Sequence, residues 1–224
     1  MPVTHFPDPR RAPKDGLLAV GGDLHPKSLL LAYSQGIFPW PVHDPDEPEP
    51  ILAWFCPNPR AILRFSDIHI PESLARAQRK AQSAWRFSVD EAFEKVILAC
   101  SQVPRPGQDG TWITPEMIDA YIEFHRLGYA HSVEVWEGAE LVGGIYGVDA
   151  GGAFAGESMF YRKPNASKLA LLYLIEHLKK GGASWIDIQM LTPHMKALGA
   201  VEIKRDDFLN ELSRTRALGL RLFH

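Results

Sequence analysis

Three polar residues on two short apolar segments could do chemistry in this chain. Glu157 lies in the segment 156–160 (GESMF), and Asp187 and Gln189 lie in the segment 185–189 (WIDIQ). Both segments alternate polar and apolar residues as a half-buried β-strand does, so Asp187 and Gln189 share one strand face. A carboxylate on an apolar strand loses hydration, which costs free energy unless a partner compensates the charge. Two such strands with a helix between them predict a preformed site on a rigid sheet.

The same residues also have structural interpretations. Glu157 could form an ion pair with an internal lysine or arginine. Asp187 and Gln189 could belong to a hydrogen-bond network at the edge of a sheet. Both interpretations stay open at this point.

Composition excludes several classes of protein. The chain has 224 residues, of which 46% are apolar and 23% charged, so it can bury a large core and is not disordered. Its formal net charge of −3 means that any nucleic-acid contact needs a local basic patch. The N-terminus has no signal-peptide pattern, and no apolar run could span a bilayer. We expect a cytoplasmic protein that contacts no membrane.

Cysteine and histidine spacing predict neither disulfides nor a metal site. Cys56 and Cys100 form no Cys-x-x-Cys pair, which fits a reducing compartment. The nine histidines show no metal-ligand spacing such as His-Glu-x-x-His. We therefore expect no metal ion and no cofactor.

The pattern of elements predicts two domains. Residues 1–66 contain a short helix at 26–35, an exposed acidic and proline-rich loop at 44–50 and an apolar strand at 51–56. These features predict a small N-terminal α/β domain. Residues 67–224 form the second domain.

Helices open the second domain and strands follow. Asp90 is predicted to cap a helix at 90–102, and a loop rich in proline and glycine follows at 103–110. From His131 the pattern alternates and predicts a three-stranded antiparallel meander. A helix capped by Asn165, a strand, a short helix, another strand and a last helix complete the chain.

The predicted order β-β-β-α-β-α-β, on one mixed and largely antiparallel sheet flanked by helices, is that of N-acetyltransferases. The fold class is therefore α/β (α+β), with an N-acetyltransferase-like domain. An acyl-CoA donor would need a glycine-rich turn at the start of the helix after the meander, to hold its pyrophosphate. Residues 161–167 (YRKPNAS) occupy that place without a glycine. We expect an acyl donor other than CoA.

Eight segments, in order along nearly the whole chain, resemble the leucyl/phenylalanyl-tRNA–protein transferase family. They are residues 15–24, 33–40, 54–60, 110–114, 131–136, 141–148, 156–160 and 187–189. The resemblance implies an enzyme that moves leucine or phenylalanine, and in some cases methionine, from its tRNA to the α-amino group of a protein beginning with Arg or Lys. This addition marks the protein for degradation. The implied partners are Leu-tRNA and Phe-tRNA, through the 3′ end and acceptor stem, and those acceptor proteins.

The resemblance also implies roles for individual residues. Glu157 would receive the basic N-terminal residue or its α-ammonium group, and Asp187 would polarise Gln189, whose amide oxygen accepts from the attacking amine. The implied aminoacyl side-chain pocket is Tyr121, Ile145, Phe154, Leu171 and Ile186, and the implied surround of the terminal adenosine is Trp54, Phe55 and Trp112.

The sequence departs from the family pattern at three positions. Ile145 stands where relatives commonly have methionine, Phe55 where they often have a larger aromatic residue, and Thr192 where they often have asparagine. The first difference bears on the shape of the aminoacyl pocket, and the other two on contacts to the terminal nucleotide.

One helix carries a candidate tRNA contact. Arg76, Arg79 and Lys80 are spaced by three and four residues, which places them on one helix face where they could bind phosphates of the acceptor stem. An ordinary solvated face explains the same spacing equally well.

Two other functions remain open at the level of sequence. One is an acyl-CoA-dependent N-acyltransferase of the same architecture. The other is a noncatalytic module that binds RNA or basic N-termini.

Overall fold

The computed structural model describes residues 1–42, 49–103 and 112–223. These residues form two β-sheets with helices packed against them. The predicted loops at 44–50 and 103–110 lie largely outside the described residues.

The smaller sheet comes from the first third of the chain. Its elements are β1 (Leu17–Val20), α1 (Pro26–Ser34), β2 (Phe38–Val42) and β3 (Ile51–Phe55). The strands are antiparallel in the order β1-β3-β2. Helix α1 begins with Pro26, which has no N–H to leave unpaired, and stops before Gly36, whose φ of 74° suits glycine. The helix and strand predicted for this region are confirmed.

The larger sheet has seven strands. They are β4 (Arg60–Arg64), β5 (Arg86–Val89), β6 (Ala130–Glu137), β7 (Glu140–Asp149), β8 (Phe154–Tyr161), β9 (Trp185–Gln189) and β10 (Val201–Ile203). Their order is β10-β4-β9-β8-β7-β6-β5, and all neighbours are antiparallel except β8 and β9. The predicted meander is β6, β7 and β8.

Six helices accompany this sheet. They are α2 (Glu72–Ala84), α3 (Phe93–Ser101), α4 (Pro115–Arg126), α5 (Ala166–Lys180), α6 (Pro193–Ala197) and α7 (Arg205–Ala217). The run β6-β7-β8-α5-β9-α6-β10 confirms the predicted order, and with it the N-acetyltransferase-like fold class. None of the helices in the described residues combines the length and apolar character that crossing a bilayer requires.

Two apolar clusters lie on opposite faces of the larger sheet. Ile145 belongs to the cluster that contains the buried face of α5, and its neighbour Tyr146 belongs to the cluster formed with α1, α3, α4 and α7. Gly143 allows α5 to approach β7 closely, because a Cβ atom there would lie 2.5 Å from the Cβ of Ala166. The first turn of α5 is thereby held against the sheet.

The helix cap predicted at Asp90 is wrong, and the cap predicted at Asn165 is correct in position but lacks a side-chain bond. Helix α3 starts at Phe93 rather than at Asp90, because the Asp90 carboxylate accepts a hydrogen bond from the Ser132 backbone N–H at 2.8 Å. The N-terminus of α3 faces the buried Glu134 instead, whose Oε1 lies 3.4 Å from the Ala92 nitrogen. Asn165 has a φ of 70° and makes no side-chain cap bond to α5.

Strand β4 was not predicted in the larger sheet. It lies between β9 and β10, so the chain changes sheets between Phe55 and Arg60. The division into domains 1–66 and 67–224 stays a prediction.

Candidate active site

A gap between β8 and β9 forms the candidate site. The two parallel strands pair only at Phe154 with Ile186 and at Ala155 with Asp187. Beyond these pairs β8 stays with β7 and β9 stays with β4. A cavity of about 410 Å³ opens where the two strands separate, and residues 156–159 of β8 line it together with residues of β9, α5 and α6.

An ion pair buried beneath this cavity fixes Asp187. Arg60 is 1% exposed, and its Nε and Nη2 donate to the two carboxylate oxygens of Asp187 at 2.8 and 2.6 Å. The guanidinium carbon lies 4.8 Å from the ring centre of Phe38 and 4.4 Å from that of Phe208. This two-point contact, with Arg60 held between two aromatic rings, fixes the position of Asp187.

Gln189 connects Asp187 to Glu157. Its backbone is left-handed, with a φ of 55°, and its N–H donates to Asp187 Oδ1 at 3.0 Å. Its side-chain Nε2 donates to Glu157 Oε1 at 3.0 Å. The three predicted catalytic residues therefore form one continuous hydrogen-bonded chain at the cavity.

Glu157 is held in an environment that favours its neutral form. Burial raises the pKa of the Glu157 carboxyl to about 8, hydrogen bonds from Tyr33 and Tyr121 oppose that rise, and the charge of Asp187 adds to it. The two tyrosine hydroxyls also hydrogen-bond each other. Burial and the neighbouring Glu157 raise the pKa values of both tyrosines well above the ordinary value, so they stay protonated donors.

The residues predicted for the aminoacyl side-chain pocket divide into two groups. Ile145, Leu171 and Ile186 line the cavity beside Glu157 and give it apolar walls. Tyr121 bonds to Tyr33 behind Glu157 instead. Phe154 is buried, with its ring centre 5.6 Å from that of Phe223.

The residues predicted to surround the terminal adenosine lie in different environments. Trp54 is 1% exposed, donates from Nε1 to the Gly21 carbonyl at 2.8 Å and packs against Phe6. The ring is therefore not accessible to a base in this structure. Phe55 is half-buried on the same strand.

Trp112 is stacked on Trp40, a residue not predicted for the site. The ring centres are 4.5 Å apart, and the planes differ by 14°. Trp112 Nε1 is buried and has no hydrogen-bond partner among the described residues. The signal for Trp40 was available, because it ends the family-like segment 33–40.

The basic residues predicted to contact the acceptor stem lie on the outer face of α2. Arg76, Arg79 and Lys80 are exposed, while Leu74 and Ala81 of the same helix are buried. Arg76 also lies 3.8 Å from Glu72, one turn earlier. The placement fits phosphate binding and a solvated face alike.

A cluster of Asp90, His125 and His131 has ligand atoms within 4.8 Å of one another, which is close enough to consider a metal. His131 Nδ1 lies 2.7 Å from an Asp90 carboxylate oxygen, and its Nε2 lies 3.2 Å from the Gly128 carbonyl. His125 Nδ1 lies 2.7 Å from the Ala130 carbonyl. These hydrogen bonds already use both ring nitrogens of His131, so a metal would have to displace them.

Two residues of the site, Arg60 and Tyr33, were missed by sequence reasoning. Both come from the N-terminal part of the chain and reach the site through long-range packing. Each lies within a segment that resembles the family, which is the signal that could have found them.

The fold and the site together define an acyltransferase of N-acetyltransferase-like architecture. Residues 62–213 match the family model of leucyl/phenylalanyl-tRNA protein transferase, and residues 22–58 match the model of its N-terminal domain. The chain belongs to this family. It is therefore an enzyme that uses aminoacyl-tRNA and a protein as its substrates.

Relatives of the same name cover nearly all of the chain. The leucyl/phenylalanyl-tRNA–protein transferase of Anaeromyxobacter sp. (strain K) is 53% identical over 209 residues, which are 93% of this chain and 87% of the relative. That of Shewanella woodyi is 50% identical over 218 residues, which are 96% of this chain and 89% of the relative. The alternative of an acyl-CoA-dependent N-acyltransferase is not favoured.

Arg60 provides a test of the buried ion pair. Arg60→Met leaves Asp187 buried without its cation, and we expect a loss of about 3–5 kcal/mol in the free energy of unfolding. Arg64→Met, on the same strand, breaks a partly exposed pair with Glu211 and should cost only about 0–1 kcal/mol. Urea unfolding at neutral pH measures both losses. Equal losses would show that the buried pair contributes no more than the partly exposed one.

Proposed function

We propose that the enzyme transfers leucine or phenylalanine from tRNA to the α-amino group of proteins that begin with Arg or Lys. The observation that carries this proposal is Glu157, an acidic group joined to Gln189 at the edge of an apolar cavity. An apolar cavity suits a leucyl or phenylalanyl side chain and excludes charged ones. The acid beside it suits a cationic acceptor.

The proposed reaction is aminolysis of the aminoacyl ester, and it needs positioning more than strong acid-base catalysis. The amine nitrogen forms a bond to the ester carbonyl carbon, and the bond to the 3′ oxygen of the tRNA then breaks. Gln189 donates its Nε2 to Glu157, which leaves its Oε1 free to accept a hydrogen bond from the attacking amine. The amine loses one proton, and we assign it to the departing 3′ oxygen.

Asp187 acts in this proposal as a positioning residue. Its oxygens accept from Arg60 and from the backbone N–H of Gln189, rather than from the Gln189 side chain. It therefore holds the left-handed turn that directs Gln189 toward Glu157. Any polarisation of the Gln189 amide by Asp187 acts through space and not through a direct hydrogen bond.

Four further assignments belong to the proposal. The aminoacyl side chain occupies the cavity lined by Ile145, Leu171 and Ile186, while Tyr121 supports Glu157 and Phe154 supports the wall from behind. The terminal adenosine is placed near Trp112, and the roles of Trp54 and Phe55 there stay predictions. Transfer marks the acceptor for degradation. The compartment is the cytoplasm, which is supported by two buried cysteines that form no disulfide.

A transfer assay tests the function. Leu-tRNA labelled in the amino acid should place label on a peptide that begins with Arg, but not on a matched peptide that begins with Ala. Glu157→Ala and Asp187→Ala should each lower transfer by about a hundredfold or more, while the exposed Glu202→Ala should not. Label appearing from acetyl-CoA and none from tRNA would overturn the proposal. Full activity of both site variants would remove these residues from the site.

The raised pKa of Glu157 predicts a pH dependence. Because the carboxylate form is populated only as the pH approaches about 8, the ratio of kcat/KM for wild type to that for Glu157→Gln should rise with pH and level off above 8. The limiting rise is about tenfold per pH unit below the pKa. Both enzymes use the same Arg-initiated peptide, so titration of the acceptor amine cancels in the ratio. A ratio that is flat from about pH 6 to about pH 9 would show that ionised Glu157 is not required.

The basic residues of α2 predict that the affinity for Leu-tRNA depends on salt concentration. Reversing the charges of Arg76, Arg79 and Lys80 together should weaken binding of Leu-tRNA and reduce the slope of log Kd against log salt by about 2. A control that reverses Lys179, Lys180 and Arg214 has the same net charge. Filter binding at several salt concentrations measures both slopes. An unchanged slope for the α2 variant would assign its basic residues to the solvated surface.

A further inference from the structure

The cavity has a cationic side as well as an acidic one. Among the described residues that line it, Lys168 is the only lysine or arginine. It forms no ion pair with any residue that the structure describes. Helix α5 places it on the same face as Leu171, one turn further along, which also lines the cavity.

Ser167 lies beside this lysine in the first turn of α5. It is 6% exposed and lines the cavity. A serine hydroxyl can donate a hydrogen bond to a ligand oxygen.

His194 supplies a further donor from α6. Its Nδ1 lies 3.1 Å from the Thr192 hydroxyl, and its Nε2 is buried without a partner among the described residues. Burial, and then the charge of Lys168, lower the pKa of His194, so the ring is neutral at pH 7. When Nδ1 accepts from Thr192, Nε2 carries the proton and can donate it.

We propose that Ser167, Lys168 and His194 form a subsite for the phosphodiester that joins the terminal adenosine of the donor tRNA to the nucleotide before it. This inference rests on the proposed function. The Lys168 cation, the Ser167 hydroxyl and the unpartnered His194 Nε2 match a singly charged phosphodiester with two free oxygens. The turn before α5 has no glycines to bring further backbone N–H groups close, so it suits one phosphate rather than a pyrophosphate.

Charge separates the two substrates within the cavity. Lys168 would repel an acceptor with a basic N-terminal residue, whereas Glu157 attracts it, so the acceptor and the RNA backbone enter on different sides. Lys80 of α2 lines a neighbouring groove together with Asn165 and with Lys163, which pairs with Glu137 of the same groove. A chain of phosphates from the acceptor stem could follow this groove to Lys168.

Aminoacyl donors that differ only in the linkage between their two nucleosides test the subsite. We would compare leucyl esters of cytidylyl-adenosine that carry either the natural phosphodiester or an uncharged methylphosphonate. In the wild-type enzyme, kcat/KM should fall by about tenfold or more with the uncharged linkage. In Lys168→Met this ratio should fall to near 1, and Lys168→Arg should keep much of the wild-type ratio. Ser167→Ala should lower the ratio in part.

Lys180→Met is the matched control, because Lys180 is exposed at the opposite end of the same helix. It should keep the wild-type ratio, and melting temperatures establish that each variant is folded. A wild-type enzyme that uses both linkages equally well, or a folded Lys168→Met that still discriminates between them, would overturn the subsite. Absence of transfer from every donor, including intact Leu-tRNA, would instead overturn the proposed function.

Discussion

The buried contact between Arg60 and Asp187 is the interaction on which the rest of the site depends. Neither charge would be stable at that depth alone, because removing either partner leaves the other charge desolvated. The pair also links strands β4 and β9 at the point where β9 has to separate from β8. The same carboxylate accepts from the Gln189 N–H and holds its left-handed backbone. The cavity, the turn at Gln189 and the orientation of its amide therefore all depend on Asp187.

The N-terminal part of the chain completes the site rather than standing apart from it. Tyr33 comes from α1 and meets Tyr121 of α4 at Glu157, while Phe38 of β2 stacks on Arg60. Each of these contacts is buried, so the small sheet and the larger one share a polar centre as well as an apolar core. Changes in α1 should therefore affect Glu157 through the hydroxyl of Tyr33.

Sequence patterns predicted the local elements and the polar residues on β8 and β9, because alternation and helix periodicity are local properties. The same patterns could not place β4 between β9 and β10, since that pairing joins residues far apart in the chain. Arg60 was missed for this reason: locally it is one more basic residue after a proline. The cap predicted at Asp90 was wrong because the backbone N–H of Ser132, which is distant in sequence, binds the Asp90 carboxylate.

Two carboxylates in one site serve different purposes because their surroundings differ. Asp187 is paired with the Arg60 cation and has a structural role. Glu157 instead accepts hydrogen bonds from neutral tyrosine hydroxyls and has a raised pKa. A group poised in this way responds to what binds beside it: an incoming cation offsets the cost of ionisation and lets the carboxyl release its proton. An apolar or anionic N-terminal side chain supplies no such offset. In the proposed function, selectivity for basic acceptors follows from a charge that forms fully only when the correct substrate is present.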